Sequence, residues 1–145
     1  MTEIAFHFNA PDKTAYTCRL LRKAVGRGSR VVVAGPMDAL KALDQALWTF
    51  SALEFLPHCF VGDAAQVLTA SPVVLDAGEG SPDLPHQQVL VNLGLEVPSG
   101  FERFERVIEV VATAEADRLQ ARRRWKHYAD RGYAIQRHDL ADAGA

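Results

Sequence analysis

Arg30-Val31-Val32-Val33-Ala34-Gly35-Pro36 is the stretch on which the fold turns. Three successive β-branched residues make a short apolar run without alternation, the signature of a strand buried on both faces. Gly35-Pro36 ends it, since proline has no N–H to give to a ladder. Asp38 to Trp48 follows and repeats leucine at helical spacing: Leu40, Leu43 and Leu47. A buried strand feeding an amphipathic helix is half of a β-α-β unit, and such units build parallel sheets covered by helices.

The flanking segments extend that pattern. Glu3 to Phe8 reads as a first strand, ended by Asn9-Ala10-Pro11-Asp12, where Asn9 or Asp12 can cap a helix. That helix runs from Ala15 to Val25 and stops at Gly26-Arg27-Gly28. Downstream, Val73 to Leu75, Val89 to Leu93 and Val107 to Val111 read as three more strands. Ser51 to Asp63 is irregular. Asp76 to His86, with two glycines and two prolines, is a loop, and Pro98 to Phe104 a short helix. Thr113 to about Gly132 is the last helix, and from Gln136 the chain reads as a polar, frayed tail. The expectation is a single Rossmann-like α/β domain over residues 1–135. Its mostly parallel five-stranded sheet is flanked by helices, and a polar C-terminal tail occupies residues 136–145.

Bulk properties agree with one globular domain. The chain has 145 residues, 48% hydrophobic and 23% charged. A net charge of −2 argues against coating DNA through overall charge. Cys18 and Cys59 form neither a disulfide framework nor a metal-ligand spacing, and read as buried reduced thiols. The N-terminus has no basic, then apolar, leader, and no apolar run approaches the roughly 20 residues of a membrane span. A cytoplasmic protein with no membrane contact is expected.

A β-α-β-α opening invites a nucleotide-binding reading. That chemistry needs glycines at the first strand–helix junction, so that backbone N–H groups can approach phosphate. Asn9-Ala10-Pro11-Asp12-Lys13-Thr14 contains none, and the P-loop pattern is absent. Histidines 7, 58, 86, 127 and 138 form no HxxH or HExxH pair, so no metal is expected and no cofactor is nominated. The strand–helix order is all that favours an enzyme, and no catalytic residue is nominated.

The charge is concentrated in the last helix. Arg118, Arg122, Arg123, Arg124, Lys126 and Arg131 are six of the sixteen Lys and Arg residues, within fourteen positions. Arg118, Arg122, Trp125 and Lys126 share one side at i, i+4, i+7 and i+8, while Ala121 and Tyr128 on the adjoining stripe anchor the helix to the sheet. The plain alternative is a solvated face with Trp125 in the core. Like charges at i, i+4 are mildly destabilising, however, and Asp130 is the one acid between Arg118 and Arg131. An anionic partner is therefore expected: nucleic acid, with bases stacking on Trp125, or an acidic peptide held by arginine beside an apolar pocket. One helix with one exposed aromatic suits a compact peptide better than a strand.

Ala121-Arg122-Arg123-Arg124-Trp125-Lys126-His127-Tyr128, followed by Gly132-Tyr133, resembles the C-terminal signature of the chi subunit family of bacterial DNA polymerase III. Leu43-Asp44-Gln45-Ala46-Leu47-Trp48 with Phe50 and Phe55-Leu56-Pro57-His58 resembles a second, more specific motif of that family. The resemblance runs from the Phe6 strand to Tyr133. It implies a Rossmann-like domain without a nucleotide site, acting as a non-catalytic replication adaptor between the clamp loader and single-stranded-DNA-binding protein. In the family the final helix and the end of the preceding strand hold that protein's acidic tail, which ends in phenylalanine. Carried onto this chain, Arg122 pairs with the terminal carboxylate, Val111 and Trp125 wall the ring pocket, and Arg118 and Lys126 attract the tail's aspartates. The family often has Lys where Arg118 stands and Tyr where Trp125 stands, so charge and aromaticity survive. A second family surface binds the psi subunit, and Trp48 and Phe55 are the positions carried over, with a repair helicase as another occupant. DNA is then contacted indirectly. For Trp48 the plain alternative is core, since it closes an amphipathic helix.

Overall fold

A computed structural model describes residues 1–49, 56–63, 66–67, 71–77, 84 and 86–141 of the chain. In chain order these form β1 (Glu3–Ala10), α1 (Lys13–Gly26), β2 (Val31–Ala34), α2 (Met37–Thr49), β3 (His58–Phe60), β4 (Val73–Asp76) and β5 (Val89–Asn92). A single 3-10 turn at Phe101–Arg103, β6 (Arg106–Ala112), α3 (Glu115–Asp130) and β7 (Ile135–Asp139) complete them. The strands make one sheet in the order β3-β4-β2-β5-β6-β1-β7, and every neighbouring pair runs parallel.

A parallel sheet hides both faces, which is why Val31, Val32 and Val33 are all fully buried. α1 and α2 cover one face, setting Leu21, Leu40, Leu43 and Leu47 against Val31, Val33, Val73, Leu75 and Val110. α3 lies on the other, with Ala121 and Tyr128 packed on Ile4, Phe6, Val107 and Val111. Asp12, not Asn9, caps α1: its carboxylate accepts the Ala15 N–H at 3.0 Å. A carboxylate thus stands where nucleotide-binding folds of this kind hold phosphate. Asn9 takes a left-handed φ of 65° and donates its amide to Asp139 at 2.8 Å. Cys18 and Cys59 are buried free thiols.

Three expectations need correction. Seven strands are seen among the described residues where five were expected. The two missed ones, β3 and β7, are the sheet edges, and neither carries an apolar run: β3 is three residues with Cys59 buried, and β7 exposes Gln136, Arg137 and His138. The tail expected to fray from Gln136 is overturned for the same reason. Ile135–Asp139 pairs with β1 from Ile4↔Ile135 to Phe8↔Asp139, so a boundary at 135/136 would cut through a strand. The helix expected over Pro98 to Phe104 contracts to the one 3-10 turn. The expected loop from Asp76 to His86 lies largely outside the described residues.

Candidate functional site

α3 is fixed at both ends. At its start the Asp117 carboxylate accepts the Ala112 N–H at 2.7 Å and pairs with Lys13 Nζ at 3.2 Å. At its end Gly132, with φ 82°, lets Gly132 N–H reach Ala129 O and Tyr133 N–H reach Tyr128 O, both at 3.1 Å. That paired reversal is a Schellman motif. It turns the chain directly into β7 and so brings β7 alongside β1, beneath the first turns of α3.

Between α3 and the β1–β7 corner lies an open cavity of ≈ 480 Å³, within the roughly 300–1,000 Å³ range of small-ligand pockets. Phe6, Phe8, Val111, Ala121 and Trp125 make it apolar, and Arg118, Arg122 and Arg137 charge it. Trp125 is half-buried, its ring 5.1 Å from that of Phe6. The Arg137 guanidinium lies 5.4 Å from the Phe8 ring centroid and 5.9 Å from that of Trp125. Arg122 approaches Glu115 at 4.0 Å, both side chains about two-thirds exposed (64% and 67%), an ion pair of little strength. Among the described residues, neither Arg118 nor Arg137 has a carboxylate within salt-bridge distance.

Of the residues expected at the site, Val111, Arg118, Arg122 and Trp125 therefore meet around one cavity. Lys126 does not join them; it sits on the solvent side of α3 with its Nζ 3.1 Å from Asp130. Phe6, Phe8 and Arg137 were missed. Phe6 and Phe8 alternate along β1 and so share its α3 face, a signal present in the sequence. Arg137 had no such signal, because its strand was read as a tail.

Arg124 also departs from the expected surface cluster. It is buried, and its Nε donates to Glu109 Oε1 at 2.8 Å and Nη1 to Leu95 O at 3.0 Å. Asn92 Nδ2 donates to both Glu109 oxygens, and Tyr128 O–H donates to Oε2 at 2.7 Å. Burial pushes the Glu109 carboxyl above its ordinary value, with the Arg124 charge opposing, and burial beside Glu109 pushes the Tyr128 phenol up. Glu109 in the middle of an apolar strand was the available signal, since a buried carboxylate requires a partner.

At the far edge of the sheet Trp48 is 59% exposed, which removes the core alternative. Its ring meets the edge of the His58 ring at 5.5 Å, and His58 is held by Leu56 O at 2.7 Å and the Asp44 carboxylate at 2.9 Å. Phe55 lies outside the described residues. No helix among the described residues is long and apolar enough to cross a membrane, and no cluster of three metal-ligating side chains occurs there.

Residues 1–136 match the family described as DNA polymerase III chi subunit, HolC. DNA polymerase III subunit chi of Pseudomonas aeruginosa is 36% identical, over 97% of this chain and 98% of its own length. The Haemophilus influenzae protein of the same name is 29% identical over 81% of each chain. This fold and these matches, over nearly the whole length, show that the chain belongs to the DNA polymerase III chi subunit family.

Proposed function

We propose that this protein is a non-catalytic adaptor of the replicative holoenzyme. Its α3 cavity captures the acidic C-terminal tail of single-stranded-DNA-binding protein, and its Trp48 surface engages the psi subunit or an equivalent clamp-loader partner. The observation that carries this reading is the composition of the cavity: an apolar, ring-lined floor with three arginines around it and one weak internal ion pair to offset them. A terminal carboxylate attached to an aromatic side chain matches both halves. Arg122 serves the carboxylate through its planar fork, and Val111 and Trp125 receive the ring. Arg118 and Lys126 draw in the aspartates ahead of it. Lys126, outside the cavity, acts on the approach of the tail. A few residues of tail give roughly micromolar affinity, about −8 kcal/mol, weakening with salt because the charges are exposed. Several tails on one assembly raise it by avidity.

Calorimetric titration with the peptide Asp-Asp-Ile-Pro-Phe, free and C-terminally amidated, tests the reading. Binding of the free peptide that is lost on amidation and lost in Arg122→Ala, with the melting temperature unchanged, is the expected result. Equal affinity for both peptides would refute the carboxylate role of Arg122.

A second reading, direct single-strand binding, draws on the Trp125 ring and the Arg137 guanidinium beside it, a unit on which a base can stack. It requires a naked oligonucleotide to bind with a steep salt slope. A cavity with one half-exposed indole favours the peptide.

A further inference from the structure

We propose that Arg137 on β7 is a specificity determinant of the cavity. It selects occupants that carry an acidic side chain close behind their C-terminal aromatic residue. The inference rests on the tail-binding reading and adds to it a residue, a wall and a requirement on the ligand.

Arg137 pairs in register with Phe6, which places its side chain on the α3 face of the sheet. It thus faces the cavity from the sheet side, while Arg118 and Arg122 face it from the helix side. Its guanidinium lies near two rings, Phe8 and Trp125. Aromatic neighbours hold a guanidinium by its face and leave the N–H groups at its rim free to donate. The nearest acid on its own strand, Asp139, is engaged by the Asn9 amide at 2.8 Å and the Ala141 N–H at 3.0 Å. The cavity therefore holds three guanidinium groups, and the occupant has to supply the balancing negative charge. One terminal carboxylate satisfies Arg122. The charge left on the β7 wall calls for a second carboxylate, and in a short peptide that comes from a nearby Asp or Glu side chain.

Titrating Asp-Asp-Ile-Pro-Phe and Ala-Ala-Ile-Pro-Phe into the wild type and into Arg137→Met gives a double-mutant cycle. Methionine retains an apolar stem against the rings while removing the charge. The wild type is expected to prefer the acidic peptide by roughly tenfold. Arg137→Met is expected to lose roughly fivefold of that preference while binding the alanine peptide within about twofold of wild type. Arg137→Lys, which keeps the charge without the fork, is expected between the two. If Arg137→Met keeps the full preference, the proposal is overturned while tail binding stands. If both peptides weaken equally, Arg137 acts through Trp125 packing and the charge role is overturned. If the wild type binds neither peptide, the tail-binding reading itself falls and this proposal falls with it.

Discussion

Arg122 and Arg124 are two positions apart on α3, and about 200° of helical rotation gives them opposite fates. Arg122 is solvent-exposed at the cavity rim, whereas Arg124 is driven into the core against Glu109. Taking both charges of that pair out of water is expensive, and it is tolerated because Glu109 also accepts hydrogen bonds from Asn92 and Tyr128. Removing one partner is therefore worse than removing both. In urea titrations at neutral pH, Arg124→Met is expected to destabilise by about 3–5 kcal/mol, because it strands a buried carboxylate. Arg122→Met is expected to stay within about 0.5 kcal/mol. The pair Arg124→Met with Glu109→Leu is expected to recover part of the loss. Equal, small effects at both arginines would mean that the buried pair carries no stability. The kind of charge on α3 was legible in the sequence; its direction was not. Six basic residues in fourteen positions read as one charge cluster until Glu109, fifteen positions upstream of Arg124 and nineteen upstream of Tyr128 in a different element, is seen to claim one of them.

Elements divide by burial. β2, β4, β5 and β6 were legible because central parallel strands carry near-continuous apolar runs, and α1 and α2 because each repeats an apolar face. The edges escaped notice because half of an edge strand faces water and its backbone pairing, not its composition, defines it. β7 is held to β1 on the α1 face by a histidine pair, His7 and His138, whose rings lie 4.5 Å apart. His7 Nδ1 also meets the Tyr16 hydroxyl. Burial first, and then the charges of His138, Arg106 and Lys23, lower the His7 pKa to about 4. The unfolded chain takes up a proton near the ordinary histidine value of about 6.5, before the folded chain does. Stability attached to His7 is thus complete above that value and is lost as pH falls toward about 4. Melting temperature measured from about pH 7 to about pH 4 is expected to fall more gently in His7→Leu than in the wild type. Superimposable slopes would show that His7 does not govern the acid sensitivity of this corner.

At the scale of the whole molecule, the sheet separates two surfaces. Trp48 and His58 stand at the β3 edge, and the arginine cavity sits over β6, β1 and β7. From β3 to β1 there are five inter-strand steps in the sheet order, which at roughly 4.8 Å each amounts to about 24 Å. That distance is greater than the Debye length of about 8 Å at physiological salt, so charge at one surface is screened from the other. The elements between them, β4, β2 and β5, are packed on both faces, so binding at one end is expected to be felt only weakly at the other. Two separate surfaces on one packed sheet suit the adaptor role proposed above, in which both partners are held at once. Trp48→Ala is accordingly expected to leave the affinity for Asp-Asp-Ile-Pro-Phe within about twofold of wild type, while Arg122→Ala abolishes it. In the same protein, Trp48→Ala is expected to weaken co-purification with a clamp-loader partner, and Arg122→Ala to leave that capture intact. Calorimetry on the two variants, paired with capture assays, reads all four quantities. If Trp48→Ala weakens the peptide as much as Arg122→Ala does, the two surfaces are energetically one, and a bridge with two independent grips is the wrong description of this fold.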